Sequence, residues 1–162
     1  MKEHIILFVC TGNTCRSVIA QALFQELKEE FFPGLNYQAE SAGIAAIEDT
    51  SPAKEAVFCL AKHGIDITTH RAQQVNSQLI KKSSLILTMT REQLNFLKEH
   101  FPQAQYKVFL LRLFCQQREH LKNDEIKDPY GEGIFFYEDI YKQLKRDIKK
   151  LLFRLAEEQK DG

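Results

Sequence analysis

Segments of strand and helix character alternate along these 162 residues, which predicts an α/β fold. The expected form is a single-domain three-layer α/β/α arrangement around a central four-stranded parallel sheet. Two observations support this. The first apolar run, Ile5-Ile6-Leu7-Phe8-Val9, is rich in β-branched and aromatic residues and reads as a buried strand. The last helical pattern presents one apolar face, made by Tyr137, Ile140, Tyr141, Leu144, Ile148, Leu151, Leu152 and Leu155, suited to packing in a core.

In chain order, residues 4–9 form the first strand, and a polar loop leads into a helix over 17–31 with apolar positions at Ile19, Ala20, Leu23, Phe24 and Leu27. A second strand is expected at 35–41. The helix at 52–63 would be capped within Asp49-Thr50-Ser51, opened by Pro52 and ended by Gly64. A helix at 71–82, a strand at 84–89, a helix at 91–100 and a strand at 107–111 continue the alternation. Residues 112–133 read as irregular, long enough for a functional loop, before the helix at 134–157 and a tail, EEQKDG, expected to fray. Right-handed crossovers place the loops that follow the strand C-termini along one sheet edge, where ligands bind.

Lys plus Arg equals Asp plus Glu at 22 each, so no global field draws nucleic acid or an anionic membrane. No terminal apolar run resembles a membrane span or a signal peptide, and the chain is expected to be soluble and cytoplasmic. The four cysteines do not read as a disulfide framework, and no Cys/His set has zinc spacing. Neither a metal site nor a cofactor is therefore expected.

The chemistry is concentrated after the first strand, in Cys10-Thr11-Gly12-Asn13-Thr14-Cys15-Arg16-Ser17. This loop ends where a helix begins, so its amides converge in the positive end of the helix dipole and form an anion cradle. Gly12 and Asn13 are residue types that tolerate the left-handed backbone of such a loop. Cys10 supplies a sulfur nucleophile. Thiolates are the attacking form, and helix N-termini and neighbouring cations stabilise them. Arg16 offers a planar fork for two oxygens of a phosphoryl group, with the Ser17 hydroxyl nearby. Asp128 precedes Pro129, which holds it extended, and it is the candidate general acid. An Asp-Pro pair also begins ordinary turns, which is the structural alternative for Asp128.

The string VCTGNTCRS directly after the first strand resembles the signature of the low-molecular-weight protein tyrosine phosphatases, and Asp128-Pro129-Tyr130-Gly131 is similar to that family's general-acid loop. Ser41-Ala42-Gly43, His63-Gly64-Ile65 and His70 are smaller echoes. The resemblance implies one phosphatase domain over 1–162, with a flavodoxin-like strand order 2-1-3-4. It implies Cys10, Arg16 and Asp128 as catalytic residues, and Thr11, Gly12, Asn13, Thr14, Cys15, Ser17 and Tyr130 as phosphate- or substrate-binding. Ser41 and His70 would support the loop through hydrogen bonds. Partners would be phosphorylated proteins, with inorganic phosphate or other oxyanions as product or inhibitor.

Three positions depart from the tyrosine-specific pattern: Val18 replaces a proline, Gly131 replaces a second aromatic, and Thr14 replaces a large aliphatic residue. Thr14 and Gly131 resemble the bacterial protein-arginine phosphatase branch, whereas Tyr130 stands where that branch usually has Phe. The reading is a phosphatase of phosphotyrosine, phosphoarginine or both, through a cysteinyl-phosphate. The alternatives are an arsenate reductase of the same fold, or a non-catalytic module that binds phosphate or phosphoproteins.

Overall fold

The computed structural model describes residues 2–162. Its elements are β1 (His4–Cys10), α1 (Arg16–Phe31), β2 (Tyr37–Gly43), α2 (Lys54–Lys62), α3 (Ser77–Lys82), β3 (Leu85–Thr88) and α4 (Arg91–His100). A 3-10 turn over Pro102–Lys107 leads to β4 (Val108–Leu110), α5 (Leu111–Gln116) and α6 (Ile134–Asp161). The strands pair in parallel in the order β2-β1-β3-β4, as expected.

β1 is buried on both faces, and its side chains divide by alternation. Ile6 and Phe8 join the core under α1, α2 and α6, whereas Leu7 and Val9 join a second cluster with Leu79, Ile80 and Leu97 of α3 and α4. Two apolar layers on opposite sides of one strand explain its continuous hydrophobic reading. The α6 stripe is buried as its period implies, with Asp147 added to it. No helix among the described residues is long and apolar enough to cross a membrane.

Several boundaries differ from the sequence expectation. β2 runs two residues later than 35–41, so Ser41 lies inside the strand and Ala42 and Gly43 end it. The helix expected at 71–82 begins only at Ser77, capped by Asn76 Oδ1. The preceding residues stay extended because Gln74 bridges to Gly43 and the Gln73 and Gln74 amides bond across to neighbouring segments. α2 begins at Lys54 without a side-chain cap. Asp49 adopts a left-handed φ of 66° and Thr50 Oγ1 donates to Ile47 O, so these polar residues shape a turn instead. The supposed irregular stretch opens with α5, because the strand reading at 107–111 ends at Leu110. The tail does not fray at residue 157: the helix continues to Asp161, held by Gln159 bonds to Asn36 N and Gly34 O.

Candidate active site

Cys10 is the last residue of β1, and α1 starts at Arg16, so the intervening loop turns at the C-terminal edge of the sheet. Asn13, at φ 56°, makes that turn and is fully buried. Both of its side-chain polar atoms are bonded: Oδ1 accepts from Gln73 N at 3.0 Å, and Nδ2 donates to Ser17 Oγ at 2.8 Å and Ser41 Oγ at 3.0 Å. Ser41 in turn donates to Gln21 Oε1 at 2.5 Å. The Asn13 carbonyl lies 3.1 Å from His70 Nε2, and since a carbonyl only accepts, that nitrogen carries the proton. Burial, followed by the Arg71 charge, lowers the His70 pKa against the opposing pull of the Asn13 bond, which suits a neutral imidazole donor. Ser41, His70 and Asn13 thus meet as a hydrogen-bonded support beneath the loop.

Cys10 Sγ is 2.9 Å from Ser17 Oγ and accepts from the Asn13 amide at 3.3 Å. Because Asn13 Nδ2 already donates to the Ser17 oxygen, the hydroxyl proton is free to point at the sulfur. Two donors therefore converge on the Cys10 sulfur. Cys15 Sγ is 3.4 Å from Tyr137 Oη, and burial pushes its thiol pKa up.

Arg16 is 4% exposed, and two contacts hold its guanidinium. Nη1 donates to Ile126 O at 3.0 Å, and Nη2 lies 3.7 Å from Asp128 Oδ2. Its Nε is buried with no partner among the described residues. A buried unpaired N–H is costly, and an oxyanion in the cradle would satisfy it. Ile126 also donates its own amide to Met89 O just beyond β3, which anchors the segment bearing Asp128 to the sheet. Asp128 accepts from Tyr130 N at 3.0 Å in a tight turn and leaves Oδ2 towards Arg16. Cys10, Thr11, Gly12, Thr14, Cys15, Arg16, Asp128 and Tyr130 line one cleft of about 240 Å³.

Sequence reasoning missed further supports. Gln93 is buried, caps α4 in a capping box with Thr90, and donates Nε2 to Thr11 Oγ1 at 3.1 Å. Its only sequence signal was the Thr-x-x-Gln spacing before a helix. Gln73, Ile126 and Tyr137 gave none, since each acts through the fold. In sequence Gly43 is only part of a motif, yet a Cβ there would stand 2.4 Å from Thr11 O and 3.1 Å from Asn13 N. Gly43→Ala should therefore push the loop outward, costing about 1–3 kcal/mol and lowering Tm by about 2–12 °C. Calorimetry that finds Tm unchanged would show that the loop yields freely.

The model of the family described as low molecular weight phosphotyrosine protein phosphatase matches residues 5–161. The chain is 34% identical over 155 residues to the protein-arginine-phosphatase of Bacillus subtilis (strain 168), with 96% of each chain covered. It is 32% identical over 155 residues to the low molecular weight protein-tyrosine-phosphatase Wzb of Escherichia coli (strain K12), covering 95% of this chain and 97% of Wzb. Among solved structures it is similar to a cysteine-to-serine mutant of the YwlE arginine phosphatase whose active-site serine is phosphorylated. The TM-score is 0.87 at 30% identity, covering 94% of this chain and 95% of that one.

Proposed function

This chain belongs to the low molecular weight phosphotyrosine protein phosphatase family, and on that premise we propose that Cys10, Arg16 and Asp128 carry its reaction and that phosphoarginine is its preferred substrate side chain. The activity is that of a cysteine-dependent protein phosphatase, which hydrolyses phosphorylated side chains through a cysteinyl-phosphate. Its relatives are protein-arginine and protein-tyrosine phosphatases, and a phosphorylated active-site serine in one of them fits a covalent intermediate on this nucleophile. The arsenate reductase alternative is not favoured.

The Cys10 thiolate attacks phosphorus in line, forming the S–P bond as the P–O or P–N bond to the side chain breaks. Asp128, protonated, gives its proton to the leaving oxygen or nitrogen. Arg16 and the loop amides hold the equatorial oxygens, where charge spreads in the transition state. Asp128, now a carboxylate, takes a proton from water as the water oxygen attacks phosphorus. The S–P bond breaks, thiolate is restored and inorganic phosphate is released.

The observation that carries the substrate choice is Thr14 in the cleft wall, opposite a general-acid loop that has glycine after Tyr130. Most of the loop is committed to the anion or its support, which leaves position 14 to meet the group behind the phosphate. The Thr14 hydroxyl has only a 3.8 Å contact with Cys15 Sγ, leaving it free for a guanidinium N–H. Gly131 sits at φ 80° with open space around it, so no second aromatic closes on a phenyl ring. Tyr130, 77% exposed, provides the remaining flat wall.

Contacts of this size are worth about 1–3 kcal/mol, a preference and not an exclusion. Parallel kcat/KM measurements on phosphoarginine and phosphotyrosine peptides should show a ratio favouring phosphoarginine. Thr14→Ile should shift that ratio towards phosphotyrosine by about 10–100-fold. A wild-type enzyme that cleaves phosphotyrosine well and ignores phosphoarginine would overturn the substrate assignment while leaving the mechanism intact.

A further inference from the structure

Away from the phosphate cleft, Cys59, His63 and Glu138 place a thiol, an imidazole and a carboxylate with donor atoms all within 4.8 Å of one another. Cys59 and His63 are one turn apart at the C-terminal end of α2 and so share a face. Glu138 reaches them from the start of α6, 75 residues beyond His63, which is why local spacing implied no zinc site. Glu138 is the centre of the group, with Oε1 3.4 Å from Cys59 Sγ and Oε2 3.1 Å from His63 Nε2. His63 stacks on Tyr141 with ring centroids 3.9 Å apart, which fixes the imidazole plane.

We propose that Cys59 Sγ, His63 Nε2 and one Glu138 oxygen form a binding site for a zinc-class divalent ion, with water completing a tetrahedron. Bonds of 2.0–2.3 Å in that geometry put neighbouring donor atoms roughly 3.3–3.6 Å apart. The three donor atoms already lie within 4.8 Å of one another, so the side chains draw in by about an ångström around an ion, with the His63 ring still in its stack on Tyr141. A thiolate–imidazole–carboxylate set selects a borderline-soft ion over magnesium or calcium. Cys59 gives up its proton to solvent as the S–metal bond forms. Until then the free thiol donates to Glu138 Oε1. Lys62 Nζ now sits 3.2 Å from Glu138 Oε1, but its half-exposed chain is free to swing to water.

The location gives the site a consequence. Ala53, which leads into α2, donates its amide to Thr14 O at 3.0 Å, and Tyr137, beside Glu138, reaches Cys15. An ion at the triad would staple together, behind the phosphate loop, the two elements that touch its Thr14 and Cys15.

The test is titration of the thiol-reduced, full-length protein with Co²⁺, following thiolate-to-cobalt charge transfer and tetrahedral d–d absorption. Calorimetric titration with Zn²⁺ in buffers of different ionisation enthalpy counts released protons. The expected result is one ion per chain and one proton released, with the charge-transfer band kept in Cys10→Ser and lost in Cys59→Ser. Because Cys59 is fully buried, the surface variant His63→Gln serves as a second arm, in which affinity should fall by at least about 10-fold. At Zn²⁺ about 100-fold above the wild-type Kd, the wild-type Tm should rise by about 5–10 °C and that of His63→Gln by about half as much or less. A band that survives Cys59→Ser but vanishes in Cys10→Ser would put the ion in the phosphate cleft and overturn the proposal. So would the absence of a saturable band, or ion binding without proton release.

Discussion

Cys10→Ser should cut turnover by about 10⁵–10⁶-fold, the scale seen when an enzyme loses the nucleophile of a cooperating set. A hydroxyl is a poorer nucleophile than a thiolate, and an alkoxide is a far poorer leaving group. Serine at position 10 should therefore accept a phosphoryl group slowly and then hold it. Intact mass should show one added phosphoryl per chain, with no continuing release of inorganic phosphate. The cradle itself survives the change: the Asn13 amide, the Ser17 hydroxyl and the buried, unpartnered Arg16 Nε are all still present. Calorimetric titration with inorganic phosphate should accordingly give an affinity within about threefold of wild type. Arg16→Ala removes the fork, at about 1.5–3 kcal/mol per charge-assisted bond. Two lost bonds should weaken phosphate binding by 10²-fold or more and depress turnover as well. Near-normal turnover in Cys10→Ser would remove the covalent mechanism altogether.

The sheet was legible because its strands are continuous apolar runs flanked by turn residues, and the crossover rule ordered the loops that follow them. The helix start misplaced at residue 71 has a definite cause: polar side chains that bond across the fold. Gln73 and Gln74 have ordinary helix propensity, but bonds to Asn13, Ser41, Ile44 and Ala46 hold them extended. Tertiary bonding overrode local preference there. The phosphate loop was legible because nucleophile, cradle and cation fall within eight consecutive residues. Its supports were not, since Gln93, Ile126 and Tyr137 lie far along the chain and meet the loop only once α4, the segment after α5, and α6 are in place. The same distance concealed Glu138 from the Cys59–His63 pair.

Asp128→Asn should slow hydrolysis by about 10²–10⁴-fold wherever the leaving group needs a proton, and the pattern across leaving groups identifies the role. Guanidine is a much stronger base than the phenolate of tyrosine. Cleavage of phosphoarginine should therefore depend on the acid most, and phosphotyrosine next. p-Nitrophenyl phosphate releases a stabilised phenolate that leaves unaided, so its loss should be the smallest. The geometry allows this discrimination because Asp128 is half-exposed at the mouth of the cleft, with Oδ2 3.7 Å from Arg16 Nη2 and Oδ1 tied to the Tyr130 amide. Asparagine keeps the side-chain oxygen that accepts from Tyr130 and removes only the transferable proton, so the turn should persist. The measurement is kcat/KM for wild type and Asp128→Asn on all three substrates, with circular dichroism to check the fold. Losses that widen from p-nitrophenyl phosphate to phosphotyrosine to phosphoarginine assign Asp128 as the proton donor. Equal losses on all three would reduce it to a residue that shapes the Pro129–Tyr130 turn.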